Sequence, residues 1–300
     1  MRVFGLPLLV PLVALAQPRV DNVLIKMAPP GTTSLVGAHM DQIKSTELYK
    51  RLIATQQLPQ LDQFARETGF DPRRDVREWV LAGNNSGSVL LARGSFHVDE
   101  SALGRAKKMR HGQYDIWAAG KDGGFCILDA TLAAAGPIPA IEAALDEWTT
   151  GKHTTGPGLL ERIKTLNPDA QFWGVSDAAG DFLANHLPEP ASGPDFSNLF
   201  RGLENVWFEA DFSAGLKADV HGLAASEQKA VSLRDAIRGV VGFARLSVPE
   251  NKPELLRLWD GVTATQQGRA VTVNVDISSD LIQKLIEIMG AGSSPAPQRL

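Results

Sequence analysis

Apolar and polar residues alternate most regularly in the C-terminal third of the chain. Val206, Phe208, Ala210 and Phe212 alternate with Trp207, Glu209 and Asp211. Leu216, Ala218 and Val220 alternate with Lys217, Asp219 and His221, and Val271, Val273, Val275 and Ile277 with Thr272, Asn274 and Asp276. Successive strand side chains point to opposite faces, so this spacing predicts strands with one apolar and one polar face. An antiparallel sheet can leave its polar face in water. Between Ser226 and Leu246 the period changes. Ala230, Val231, Leu233, Ile237, Val240, Val241 and Ala244 recur three or four residues apart, with Arg234, Asp235 and Arg238 between them. That is an amphipathic helix with one buried stripe. Leu281, Ile282, Leu285, Ile286 and Met289 repeat the pattern.

The order of these elements occurs twice. A short apolar run, Ser34 to Met40 or Ala170 to Ser176, is followed by Asp41 or Asp177, residues suited to capping a helix. A hairpin follows in each: Val76 to Ala82 with Ser88 to Phe96, and Asn205 to Phe212 with Leu216 to Gly222. The Gly and Asn residues between their strands permit tight reversals. Each hairpin leads to a helix, Glu100 to Met109 or Ser226 to Leu246. A strand pair comes next, Tyr114 to Ala119 with Gly124 to Asp129, or Gly261 to Gln266 with Ala270 to Ile277. Each copy closes on a helix, Pro139 to Trp148 or Asp280 to Met289. The repeat is one of order, with little residue identity. It predicts an α+β protein of two similar units, each a mostly antiparallel sheet with helices packed on one face. The first copy is less regular. Val89 to Ala92 is apolar throughout, which predicts cover on both sides of that strand. Whether the two sheets join is open at this level.

The predicted organisation is a leader over 1–16, a first unit over 17–150, a linker over 151–166, a second unit over 167–290 and a disordered tail over 291–300. Arg2, the apolar run Val3 to Leu15 and the sequence Ala14-Leu15-Ala16 have the form of a signal peptide cleaved near Ala16. The run is short for a bilayer and carries Pro7 and Pro11. No other stretch has the length and hydrophobicity of a transmembrane span. The expectation is therefore an exported protein, periplasmic or secreted. Pro188 to Pro194 reads as a second linker, and the lead-in Gln17 to Pro30 as able to add a strand around Asn22 to Met27.

Charge and cysteine content narrow the classes. The chain has 300 residues and a formal net charge of −4, which removal of Arg2 makes more negative. It has no basic run, which disfavours a nucleic-acid partner. Its one cysteine, Cys126, lies in Gly124-Phe125-Cys126-Ile127-Leu128, so no internal disulfide forms and the thiol reads as core.

Candidate chemistry is sparse. Ser226-Glu227-Gln228-Lys229 has the Ser-x-x-Lys spacing of penicillin-recognising enzymes, but the Ser-Asp-Asn and Lys-Thr-Gly elements are missing. A helix cap is the simpler role for Ser226. His39, His97, His111, His153, His186 and His221 show no metal-ligand spacing. Phe70-Asp71-Pro72-Arg73-Arg74-Asp75 has the acidity of a calcium loop but carries two arginines, and reads as a helix stop with local ion pairs. Gly83-Asn84-Asn85-Ser86-Gly87 is a turn. No Rossmann or Walker motif occurs, so no cofactor is expected. Trp207 falls on the polar face beside Glu209 and Asp211. An exposed Trp there would anchor a partner, although cover by the linker or the other copy is the plainer expectation.

The strings Trp207-Phe208-Glu209-Ala210-Asp211-Phe212, Arg234-Asp235-Ala236-Ile237-Arg238-Gly239 and Thr68 to Asp75 resemble exported bacterial proteins of unknown function. The resemblance spans most of the mature chain and brings no catalytic residues. The leading expectation is a non-enzymatic envelope or secreted protein, binding or structural. It would bind a protein or other envelope macromolecule through the polar sheet face or a groove between units. Two alternatives have distinct signatures. A carrier of apolar ligands would show a cavity lined by Phe172, Trp173, Phe208 and Phe212. A hydrolase would bring Ser226, Lys229 and a carboxylate together in a cleft.

Overall fold

The computed structural model describes residues 20–55, 62, 65, 66, 71–84, 87–97, 107–119, 121–178, 180, 202–249 and 251–291. The leader, the segment 188–194, most of the helix expected over Glu100 to Met109, and the tail beyond Ala291 lie outside them. Twelve strands form one sheet: β1 (Ser34–His39), β2 (Val76–Asn84), β3 (Gly87–Gly94), β4 (Lys108–His111), β5 (Tyr114–Ala119), β6 (Gly123–Asp129), β7 (Leu132–Pro137), β8 (Phe172–Ser176), β9 (Leu203–Asp211), β10 (Gly215–Ala224), β11 (Val262–Gln267) and β12 (Ala270–Ser278). The helices are α1 (Asn22–Lys26), α2 (Met40–Ser45), α3 (Glu47–Thr55), α4 (Pro72–Asp75), α5 (Ile138–Thr150), α6 (Pro157–Thr165), α7 (Glu227–Leu246), α8 (Pro253–Asp260) and α9 (Ser279–Ala291). The fold is α+β, and among the described residues all eleven strand pairings are antiparallel.

Across the sheet the order is β11-β12-β10-β9-β8-β1-β2-β3-β7-β6-β5-β4. Outward from the centre, β1-β2-β3-β7-β6 mirrors β8-β9-β10-β12-β11, and β5-β4 extends the first half. The halves join edge to edge at β1 and β8, where the hydroxyls of Ser34 and Ser176 lie 2.7 Å apart. Backbone pairing at that seam makes the two halves one continuous sheet. Direct cross-strand pairs there set an aromatic ring over a glycine twice, Trp173 over Gly37 and Phe208 over Gly174. A Cβ at either glycine would run into the ring it carries.

Residues directly opposite across an antiparallel pair share a face, so the register follows each face from end to end. One row runs Ile116, Cys126, Ala134, Leu91, Val80, Gly37, Trp173, then Glu209, Asp219, Asn274, Thr263. This face is apolar through the first half and turns polar at β9. The row on the opposite face runs Trp117, Phe125, Ala135, Leu90, Leu81, Val36, Gly174, Phe208, Val220, Val273, Ala264 and is apolar throughout.

Helix placement follows these rows. Leu24, Ile25, Ile141, Leu145, Leu159 and Ile163 of α1, α5 and α6 close the main core over the apolar part of the first face. Helix α7 covers the other face at β10–β12, where Ala230 and Leu233 pack with Ala224 and Val271. A small cluster around Val76, Ala92 and Phe96, with Met40 of α2, lies on that same opposite face in the first half. Each half thus carries its principal helices on one face, but the two halves use opposite faces. Val89 and Leu91 of β3 are buried in the main core, while Leu90 on the other side is 36% exposed.

Several expectations need correction. Asn22 to Lys26 is a helix, because the Asp21 carboxylate accepts from Val23 N–H and caps it. Lys108 and Met109 begin strand β4. Leu132 to Pro137, an alanine-rich run with no alternation, is strand β7. Asp41 lies inside the first turn of α2, whose cap residue is His39. The segment expected as linker contains α6, which contributes to the core.

Candidate functional site

The sequence nominees separate in space. Trp207 lies on the first sheet face under α6. The Arg162 guanidinium sits 4.2 Å from its ring centroid, and the His221 ring stacks beside it at 5.0 Å. Trp207 also packs against the main core. Glu209 accepts from the Asn167 N–H and Asp211 from the Ser213 N–H. Beyond them the polar face continues through Asp219, His221, Thr272 and Asn274, with His221 Nδ1 3.1 Å from the Thr272 hydroxyl.

Ser226 caps α7. Its Oγ accepts the Lys229 backbone N–H at 3.2 Å, and both residues are exposed. The acidic loop closes locally. Asp71 caps α4 and pairs with Arg73, while Arg74 pairs with Asp75. Hydrogen bonds from these arginines hold both carboxyls below the usual carboxylate range. Cys126 is buried, and burial pushes its thiol up to about 12, which leaves it unreactive at neutral pH. Among the described residues no three His, Cys, Asp or Glu side chains converge as metal ligands.

The four aromatic residues named for an apolar cavity do not line one space. Phe172 and Phe208 lie on the face that is apolar throughout, 5.2 Å apart, with Trp79 6.1 Å from Phe172. Trp173 points to the other face, is buried, and lies across the sheet from them.

The most distinctive surface is the one sequence periodicity placed in the core. In α7 only Ala230 and Leu233 are buried, so the predicted stripe holds for the first half of the helix and fails at Val240. Val240 is 40% exposed, Phe243 72% and Leu246 88%. The N-terminal half of α7 buries its stripe against the sheet, whereas its C-terminal half runs beside β11 with its outer side exposed. At about 100° per residue, Phe243 and Leu246 sit well round the helix from Leu233 and Ile237. Two large apolar residues off the main stripe were the available sequence signal. Leu256 of α8 is also exposed, and α8 has no buried residue.

A groove of about 320 Å³ runs between α7 and β11, lined by Arg238, Val241, Gly242 and Arg245 on the helix and by Val262 to Thr265 on the strand. Three arginines of α7 track this edge. Arg234 reaches Gln266 at 3.5 Å, Arg238 Nε donates to the Ala264 carbonyl at 2.9 Å, and Arg245 pairs with Asp260 at 2.8 Å. The site therefore combines an exposed apolar stripe, an open groove, a terminal strand and a line of cations. No group in it is arranged for covalent or acid–base chemistry.

Among the described residues, no helix is long and apolar enough to cross a membrane. No family model matches the chain, and no curated protein matches it, so no characterised family is recognised. Solved structures of TP0453 do align. Crystal form III gives a TM-score of 0.55 at 11% identity, covering 88% of this chain and 97% of that one. Crystal form I gives 0.52 at 10% identity, covering 89% and 97%. Crystal form IV gives 0.50 at 11% identity, covering 87% and 95%. At such low identity the likeness is one of fold alone.

Proposed function

We propose that this chain is an exported, non-enzymatic binding protein of the bacterial envelope. Its partner engages the outer surface of α7 and the adjoining groove. The observation that carries the reading is the exposure of Val240, Phe243 and Leu246 along the outer side of α7, the helix that also forms one wall of the groove. Exposed large apolar side chains grouped on one surface mark interaction sites. Export rests on the form of residues 1–16. The polar face around Trp207, Glu209 and Asp211 ranks second as a partner surface, because Trp207 is already held between Arg162 and His221.

A photo-crosslinking amino acid at Phe243 or Leu246, compared with one at Lys217 on the exposed polar face, tests the choice in intact cells. The reading expects adducts from Phe243 and Leu246 and few from Lys217. Adducts from Lys217 alone would transfer the site to the polar face. The carrier alternative draws on the half-buried apolar row Val206, Phe208, Val220 and Val273 beneath the second-half helices. Organic extraction of the purified mature protein, followed by mass spectrometry, would yield a stoichiometric apolar molecule if that alternative held. The hydrolase alternative requires activity that Ser226→Ala abolishes.

A further inference from the structure

We infer that the α7–β11 groove takes an extended acidic peptide segment, which adds to β11 as a thirteenth strand. This rests on the binding role proposed above and names the partner's chemistry.

Among the described residues strand β11 ends the sheet, and one side of its backbone has no strand partner there. The Asp276 N–H donates to the Gly261 carbonyl, which sets the phase of the β11–β12 ladder. In an antiparallel ladder the groups facing the partner alternate. Thr263 and Thr265 therefore bond toward β12, while the backbone groups of Val262, Ala264 and Gln266 point outward into the groove. The Arg238 hydrogen bond to the Ala264 carbonyl agrees with that phase. It also shows one outward acceptor already satisfied by a side chain that an incoming N–H would replace.

The groove walls suit a strand. Gly242 presents no side chain, and a Cβ there would meet nothing within 4 Å, so the helix leaves space at the groove's middle. Val241, Val262 and Ala264 supply apolar contact. An extended main chain lying between a helix and an edge strand gains its affinity from ladder hydrogen bonds and its selectivity from alternate side chains.

The cations choose the ligand's charge. Arg234, Arg238 and Arg245 are ranged along the helix beside Gln266, Ala264 and the groove's Val262 end. Their present partners are weak ones. Asp260 and Arg245 are each about half exposed, as is Asp235, while its partner Arg234 is more covered. Exposed pairs of this kind exchange readily for a carboxylate held by a ladder. A peptide with acidic residues at alternate positions places them on one side of the new strand.

The test uses the purified mature protein and a fluorescein-labelled ten-residue peptide of Val and Thr with Glu at alternate positions. Controls are the same peptide with Lys for Glu, and the Glu peptide N-methylated at alternate residues so that it cannot complete a ladder. Saturable binding of the Glu peptide is expected, weakened at least tenfold by either control. Ala264→Pro removes an outward N–H without touching the β12 ladder and should abolish binding. Arg238→Gln and Arg245→Gln should each weaken it several-fold. Equal binding of the N-methylated or Lys peptide would overturn the inference. So would self-association of the protein that Ala264→Pro abolishes, which would make a second copy the occupant. If no peptide binds while crosslinks still form from Phe243, strand addition is wrong and the binding surface stands. If neither occurs, the binding reading itself falls.

Discussion

The two halves of the sheet share a strand order and differ in what covers them. In the first half α5 closes on its sheet face completely. Ile141, Ala144 and Leu145 are all fully buried over Ile116, Cys126 and Leu91. In the second half α7 buries only Ala230 and Leu233, and its C-terminal turns carry Phe243 and Leu246 into solvent. One helical layer serves the core. The other is only partly spent on it. The same strand order can thus support a stable scaffold and an open surface, because the amount of helix committed to the sheet is set by side-chain pattern rather than by topology.

The contrast breaks most sharply at equivalent leucines. Leu145→Ala should cost about 3–4 kcal/mol, the range for a fully buried leucine that leaves a cavity. Leu246→Ala should fall within about 0.5 kcal/mol of the parent. Urea denaturation of both variants makes the comparison. If both lose stability equally, α7 is core after all.

Glycines sharpen it next. Gly37→Ala drives a methyl group into the Trp173 ring at the central seam and should cost about 2 kcal/mol or more. Gly239→Ala, in the exposed part of α7 with nothing near its Cβ, should stabilise by about 0.5–1 kcal/mol through helix propensity. Thermal melts with opposite shifts would separate the seam from the exposed helix.

The cap of α7 gives a smaller effect. Ser226→Ala should cost about 1 kcal/mol, since it removes the acceptor for the Lys229 N–H. A larger loss would mean that α7 depends on its first turn more than its two buried residues suggest.

The smallest expected effect is a pH slope in the first half. Glu78 lies near the sheet's inner face, where Oε1 accepts the Asp21 N–H at 3.0 Å and sits 3.5 Å from His39 Nδ1. Burial raises its carboxyl above the ordinary glutamate value. The folded state therefore binds this proton at higher pH than the unfolded state does. Stability from this group is greatest below the unfolded value and declines as pH rises through the folded one. Glu78→Gln should flatten stability over the pH range just above the ordinary glutamate value of about 4.3, relative to the parent. A parent whose stability rises across that window, by comparison with Glu78→Gln, would contradict the sign.

Much of this was legible in the chain. The alternation of Phe208 with Trp207, and of Val273 with Thr272, identified β9, β10 and β12 and gave each its apolar side. Ser226 marked the start of α7. The apolar string at β3 predicted cover on both sides, and that expectation fails in part: Val89 and Leu91 are buried, whereas Leu90 on the other face is 36% exposed. What periodicity could not convey was the side of the sheet on which each helix packs, because alternation distinguishes two faces without saying which one a distant helix will reach. Strand β7 was hidden for another reason: Leu132-Ala133-Ala134-Ala135 has helical propensity and no alternation, and only packing beneath α5 makes it extended. The site was missed because Val240, Val241 and Ala244 extend the helical stripe without a break. Which of them the sheet covers is a fact of tertiary structure.

Native-state hydrogen exchange addresses the central claim directly. The account predicts that amides of α5 from Ile141 to Leu145 exchange only on global unfolding. Amides of α7 from Val240 to Leu246 should open at least a hundredfold more readily in the isolated protein, as expected for a helix segment with few buried contacts. Equal protection of the two segments in the isolated protein would contradict it, and would show that the outer layer of the second half is as firmly held as the core of the first.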